Sequence, residues 1–201
     1  MVRPIGFLLL AALMASAACA KPAAYPAAEV LTEFKATCSS VSDIPALRDR
    51  ALKRGWDETP PSGDSAVGKM LAEMRSSPGK LILGQTYQPL FVLHRAIAGR
   101  TLWLVLSDMH IPDSERLQRQ RSCEIYDEAA PEISELEAKS FFGRSPNVNR
   151  SDFDSQLYWD PAVTSGASYT ALVHCERLCP NVVGLKLEAS LMDWTDGQHG
   201  Y

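Results

Sequence analysis

The sequence lacks the short motifs by which the common enzyme classes are recognised. It contains no Gly-x-Ser-x-Gly nucleophile elbow, no His-Glu-x-x-His metal motif, no Gly-x-Gly-x-x-Gly dinucleotide loop and no phosphate-binding loop. Catalytic groups can be assembled in space from distant positions, so these absences lower the expectation of an enzyme without excluding one. No motif in the chain implies a cofactor.

Long apolar stretches are also scarce. The strongly apolar run Ile5–Met14 has about half of the ~20 residues that a membrane-spanning helix needs. Arg3 precedes it, and the small residues Ala15–Ala20 follow it. This order is typical of an export signal, and we therefore expect the mature protein in the periplasm or outside the cell, with no transmembrane segment.

Two cleavage sites compete at the end of this signal. Ala18-Cys19-Ala20 matches an A-x-A site, with cleavage after Ala20. Ser16-Ala17-Ala18-Cys19 resembles a lipobox, with cleavage before Cys19, although Ser16 stands where Leu is usual. Lipidation of Cys19 would make the protein a lipoprotein of the outer membrane.

The remaining chain has the size of one domain. The predicted organisation is a signal peptide at 1–20, an Ala- and Pro-rich linker at 21–28, a single domain at 29–192 and a tail at 193–201. Loss of Arg3 leaves 19 basic against 24 acidic residues, which argues against nucleic acid as a partner. Arg116, Arg119 and Arg121 form a local exception, interpreted as a solvated loop or edge face, with a site for an anion as the alternative.

Cysteines are few but even in number after the signal, at Cys38, Cys123, Cys175 and Cys179. In an oxidising compartment they predict two disulfides, and four cysteines allow three connectivities. We favour Cys38–Cys123 and Cys175–Cys179. A metal site at His174-Cys175-x-x-x-Cys179 lacks a second ligand pair, and four buried reduced thiols are the other alternative.

Apolar residues recur at helical spacing in the first part of the chain. In the rest of the chain, apolar and polar residues mostly alternate. The spacing predicts helices over 27–38, 42–54 and 67–74, then hairpin-connected strands with one helix from Pro131 to Gly143. Gly99-Arg100 is the expected turn of one hairpin, and Trp56 and Trp103 are expected in the core. The predicted fold class is α+β, with N-terminal helices followed by a mainly antiparallel sheet with one intervening helix.

Candidates for chemistry are weak. Asp108 and His110 follow the clearest strand as Asp-x-His, which could serve as an acid/base pair or as metal ligands. His94 or His174 would have to supply a third group. A polar position without a catalytic role is the simpler interpretation, so no catalytic or metal-binding residue is assigned.

Four short elements resemble a set of small exported proteobacterial proteins. They are Phe34-x-x-x-Cys38, Gly55-Trp56, Ser122-Cys123-Glu-Ile125 and Gly184-Leu185-x-Leu187. The set has a Phe-x-x-x-Cys helix, a Gly-Trp element and a later cysteine-bearing strand. The resemblance implies a similar fold and a Cys38–Cys123 link, and it contributes no functional residues.

Two functions remain as hypotheses. The first is a non-enzymatic binding or accessory protein of the bacterial envelope, with an envelope protein as its partner. The second is an envelope hydrolase or metal-dependent enzyme that uses Asp108 and His110. An exposed apolar patch would favour the first, and convergence of the histidines in one pocket would favour the second. Neither the oligomeric state nor the partner's identity follows from the sequence.

Overall fold

The computed structural model describes residues 24–76, 89–112, 116–150, 154–175 and 184–196. Within these ranges the chain forms helices α1 (Ala27–Thr37), α2 (Ile44–Lys53), α3 (Ala66–Ser76) and α4 (Glu135–Phe142). The strands are β1 (Pro89–Ile97), β2 (Arg100–Pro112), β3 (Arg116–Asp127), β4 (Asn147–Arg150), β5 (Asp154–Trp159), β6 (Tyr169–Cys175) and β7 (Gly184–Asp196). The predicted α+β class is confirmed. Strand β7 continues past residue 192, where the sequence had placed the end of the domain.

The strands form one antiparallel sheet of seven, in the order β1-β2-β3-β7-β6-β5-β4. The meander β1-β2-β3 and the meander β4-β5-β6 are joined by β7, which inserts between β3 and β6. This insertion places residues of β3 directly opposite residues of β7 that lie far away along the chain.

Local signals account for the helix ends. Asp43 accepts a hydrogen bond from the Ala46 N–H at 3.0 Å, and Pro45 occupies the first turn of α2. Ser134 and Glu137 form a reciprocal capping box, so α4 begins at Glu135 rather than at Pro131 as predicted. Gly143 ends α4 in the left-handed conformation.

One face of the sheet carries the main core. Helices α1, α2 and α4 cover it, and α1 contacts both of the others. Trp56 is 1% exposed in this core, as expected from the sequence. The large side chains that fill it from the helices and strands include Leu31, Phe34, Leu47, Leu104, Ile125, Leu172 and Leu187.

The opposite face is partly covered by α3. Val67, Met70 and Leu71 of that helix pack with Val105 and Tyr126 of the sheet. Trp103 lies against this second cluster and is only half-buried, because alternation places it on the α3 face, away from the main core. The expectation that Trp103 is a core residue is therefore only partly met.

Two further local predictions are wrong. The first hairpin turns at Ala98-Gly99 rather than at Gly99-Arg100, because Ile97 pairs with Arg100 and both turn residues have positive φ, 47° and 79°. The arginines at 119 and 121 lie neither in a loop nor at an edge of the sheet, because β3 contains both and pairs with β2 and β7. The predicted strand around residues 81–83 lies outside the described residues.

Candidate functional site

A disulfide links the end of α1 to the centre of the sheet. Cys38 and Cys123 are bonded, with a Cα–Cα distance of 5.5 Å and no exposure of either residue. This predicted pairing is confirmed. Cys175 ends β6, whereas Cys179 and Cys19 lie outside the described residues, so the Cys175–Cys179 disulfide and lipidation of Cys19 stay predictions.

Asp108 is engaged by a neighbouring guanidinium. Its Oδ1 accepts a hydrogen bond from Arg119 Nε at 2.8 Å, and its Oδ2 accepts a second from the same guanidinium. One guanidinium thus occupies both carboxylate oxygens of Asp108, and an acid/base role at this carboxyl would require that contact to break. His110 pairs with Arg119 in the strand register, and its side chain lies outside the described side chains.

The structure does not bring the other two histidines to Asp108. His94 stacks beside Trp103 with ring centroids 5.3 Å apart, and alternation along β2 puts Trp103 and Asp108 on opposite faces. His174 pairs with Leu185, whose partner on β3 is Asp127. Asp108 is level with Arg121 on β3. The stretch of β3 between Arg121 and Asp127 is roughly 20 Å long, so His174 lies far from Asp108.

Two arginines of β3 already have partners. Arg119 binds Asp108, and Arg121 binds Asp193 of β7 as well as the carbonyl oxygen of Ser42. The side chain of Arg116 lies outside the described side chains. The alternative of an anion site therefore gains no support from Arg119 and Arg121.

A buried polar cluster, which the sequence reasoning missed, lies on the second face of the sheet between β3 and β7. Lys186 Nζ lies 2.7 Å from Glu188 Oε2 and 4.0 Å from Glu124 Oε1. The Tyr126 hydroxyl donates to Glu124 Oε2 at 2.6 Å. Glu124 and Glu188 face each other across the two strands and are 6% and 9% exposed.

Electrostatics within this cluster favour one cation shared by two carboxyls. Burial raises the pKa of Glu124 and the nearby charge of Glu188 adds to it, while Lys186 opposes the rise. Burial by itself would lower the pKa of Lys186, but Glu124 and Glu188 outweigh it and raise that pKa. Lys186 therefore stays protonated and is held mainly by Glu188. Burial and the charge of Glu188 also raise the pKa of Tyr169 to about 12.

A row of serines continues the polar face beside the cluster. The hydroxyls of Ser107 and Ser122 lie 2.6 Å apart, and Ser190 pairs with Ser122 in the register. Ser190 is fully buried, and its hydroxyl has no hydrogen-bond partner in the described part of the chain. The alternating pattern Lys186-x-Glu188-x-Ser190 is the signal that could have revealed this face.

An apolar groove lies between α1 and α4 on the other side of the molecule. It has a volume of about 570 Å³ and is lined by Ala27, Ala28, Leu31, Leu136, Glu137, Ser140 and Phe141. Small alanines on one wall leave room for an inserted side chain. Leu136 on the other wall is 76% exposed.

Leu136 points outward although it is one of the apolar residues of α4. Ala138 is the fully buried residue of α4, and a residue two positions away points about 200° around the helix. Leu136 is therefore directed away from the core that Ala138 contacts. The spacing of apolar residues along a helix cannot by itself say which side of that helix the rest of the fold covers.

The segment Gly63–Lys69 carries the Gly-x-x-x-x-Gly-Lys spacing of phosphate-binding loops, but Met70 stands where such loops have Ser or Thr. It leads into α3 without a preceding strand. The Val67 N–H in the first turn already bonds Glu128 Oε1 at 2.8 Å. A carboxylate of the chain itself thus occupies the place of an anion at this helix end.

The described residues contain no group of three or more His, Cys, Asp or Glu side chains that could hold a metal ion. Within the same ranges no helix is long and apolar enough to cross a bilayer. Comparison with protein families, with curated proteins and with solved structures gave no match for this chain.

Proposed function

We propose that the protein is an exported, non-enzymatic binding domain of the bacterial envelope, and that the α1–α4 groove receives an apolar side chain of a partner protein. The observation that carries this proposal is Leu136, 76% exposed at the wall of an apolar groove. The other large exposed hydrophobic side chains of the described chain, Leu52, Val148 and Met192, are 36–42% exposed.

The groove can receive one or two side chains of a partner protein. Complete burial of one Leu side chain contributes about 1.5–3 kcal/mol, which alone is too little for stable association. Leu136 and the alanine wall would therefore act as the anchor of a wider contact with a protein surface. Exposed apolar residues around a groove are typical of such contacts.

Export is supported by the apolar run with its small-residue cleavage region and by the Cys38–Cys123 disulfide, which is typical of oxidising compartments. The location is the periplasm or the outside of the cell. If Cys19 is lipidated, the protein is an outer-membrane lipoprotein. The eight residues from Cys19 to Ala27 would then keep the groove within about 28 Å of the bilayer surface.

An envelope hydrolase built on Asp108 and His110 gains no support from the described side chains. Asp108 is bound by Arg119, and neither His94 nor His174 lies near it. A binding role needs no such convergence, which is why it is preferred here.

Photo-crosslinking in living cells tests the proposal. A photoreactive amino acid at position 136 of the full-length chain should give one discrete adduct with a partner. The same amino acid at position 148, on an exposed residue of β4, serves as the matched control and should not give it. Ala28→Trp should fill the groove and remove the adduct without lowering the melting temperature, because Ala28 is exposed.

Three results would contradict the proposal: no adduct at position 136, the same adduct from position 148, or an adduct that survives in Ala28→Trp. Each of them would mean that the groove is not the contact site.

A further inference from the structure

Two tyrosines form an aromatic patch on the second face of the sheet, on the other side of the molecule from the α1–α4 groove. Tyr158 of β5 and Tyr169 of β6 are half-buried, and their ring centroids lie 6.0 Å apart with the ring planes inclined by 30°. Tyr158 pairs with Ala171, two residues after Tyr169, so alternation directs all three side chains to this face. Part of each tyrosine is thus accessible from outside.

A hydrogen bond holds Tyr169 along the sheet. The side-chain amide of Gln156 donates to the Tyr169 hydroxyl at 2.6 Å. Gln156 pairs with Val173, four residues beyond Tyr169, so about 13 Å along the strands separates the two levels. The bond can close only if both side chains extend along the strands towards each other. The ring of Tyr169 therefore passes over Ala171, which lies midway between the levels and is fully buried.

Uncharged amides continue the aromatic patch to the edge of the sheet. Asn147 and Asn149 of β4 are both exposed. They pair with Tyr158 and Gln156 of β5, so their side chains lie on the same face as the tyrosines. Val148 between them points to the other face. Rings and amides thus lie side by side across three neighbouring strands.

We infer that this face binds a short neutral oligosaccharide across β4, β5 and β6. The C–H face of a pyranose ring is apolar and packs on an aromatic ring, here Tyr158 or Tyr169. The hydroxyl groups at the rim of the sugar need both donors and acceptors, and the amides of Asn147 and Asn149 offer both. The three strands span about 10 Å, which accommodates a di- or trisaccharide.

The same side chains disfavour other ligands. A nucleic acid could stack its bases on the tyrosines, but its phosphates need cations. Lys186, which pairs with Val173 beside Gln156, is already bound to Glu188 at 2.7 Å. An apolar anchor of a partner protein would leave the amides of Asn147 and Asn149 without partners. A sugar satisfies the rings and the amides together.

Three trisaccharides test the inference on the mature chain: maltotriose, cellotriose and triacetylchitotriose. We expect at least one of them, at millimolar concentration, to shift the amide NMR signals of residues 147–149, 156–158 and 169–171. Signals of residues 27–31 and 136–141, at the α1–α4 groove, should stay unchanged. A hexamer of thymidylate is the nucleic-acid probe and should shift none of these signals.

Substitutions in the site supply the second measurement. Tyr158→Leu keeps an apolar side chain but removes the ring, and it should weaken binding of the trisaccharide about tenfold. Asn147→Ala combined with Asn149→Ala should weaken it about fivefold. The melting temperature of this double variant should not change, because both positions are exposed. Val148→Ala, on the same strand but the other face, is the matched control and should leave binding unchanged.

The inference is overturned if none of the three trisaccharides shifts the signals of the site, or if binding is unchanged in the double Asn variant. It is also overturned if the thymidylate hexamer shifts the same signals, which would indicate a nucleic-acid site, or if the sugar shifts the groove signals instead. Its failure leaves the proposed function untouched, because a crosslink from position 136 reports on the other side of the molecule.

Discussion

The indole N–H of Trp56 donates a hydrogen bond to Glu33 Oε1 over 2.9 Å. The same carboxylate accepts two hydrogen bonds from Arg54 and one from the Thr37 hydroxyl, and it forms an ion pair with Arg95 of β1. Glu33 is only 6% exposed, so these partners compensate for the burial of its charge. The Gly55-Trp56 element thus links α1, the end of α2 and the edge of the sheet, which is a structural role.

Acid should weaken the fold through Glu33. Burial alone would raise the pKa of this carboxyl, but hydrogen bonds from Arg54, Thr37 and Trp56 outweigh it and lower the pKa from 4.5 to about 2. A carboxyl with a lowered folded-state pKa stabilises the fold above pH 4.5, and this contribution is lost as the pH falls towards 2. It amounts to about 3 kcal/mol.

Glu33→Gln should therefore lower the free energy of unfolding at pH 7 and reduce its fall between pH 4.5 and 2. Urea unfolding followed by tryptophan fluorescence at several pH values measures both effects. Glu29→Gln, at an exposed position one turn earlier in α1, is the control. An unchanged acid dependence in Glu33→Gln would show that other carboxyls carry it.

Gly184→Ala should destabilise the protein much more than Gly99→Ala. Both glycines have positive φ, 62° and 79°, so alanine is strained at either position. A Cβ at Gly184 would lie 2.3 Å from the Asp127 carbonyl oxygen and 2.7 Å from that of Glu128, whereas at Gly99 it meets nothing within 4 Å. We expect Gly184→Ala to cost about 1–3 kcal/mol more in urea unfolding. Equal losses would mean that β3 and β7 can separate at this point.

Removal of the disulfide should lower stability strongly. Cys38 and Cys123 are 85 residues apart, and closing a loop of this length contributes about 4–5 kcal/mol in the chain-entropy description. Cys38→Ser with Cys123→Ser should lose that amount and no longer respond to reductant at this bond. Non-reducing peptide mapping of the wild-type chain checks the link directly. Recovery of both cysteines alkylated, from protein purified without reductant, would contradict it.

Lys186→Met should destabilise the fold by about 3–5 kcal/mol at pH 7.5, because it leaves Glu124 and Glu188 buried without their cation. The loss should be smaller near pH 4.5, because burial raises the pKa of Glu124 and its protonation removes one of the two unpaired charges. Lys53→Met, at an exposed lysine of α2, should have little effect at either pH. A loss in Lys186→Met that does not depend on pH would indicate that packing, and not charge, is responsible.

The sequence by itself determined the fold class and the helix ends that short-range signals specify. Helical spacing with Pro45 identified α2, and Gly143 correctly marked the end of α4. Alternation around Cys123 placed it on the buried face, where it meets Cys38. These features follow from contacts between near neighbours and from the periods of the helix and the strand, which are readable in one segment at a time.

Only the tertiary structure decided which faces are covered and which distant residues meet. Insertion of β7 between β3 and β6 brings Glu124 opposite Glu188 and close to Lys186. Alternation within β3 or β7 does not reveal that the two strands are neighbours. The outward direction of Leu136 depends likewise on where α4 rests, with Ala138 against the core. Strand order and helix placement result from packing over long chain separations, so the polar cluster and the groove were not readable from local periodicity.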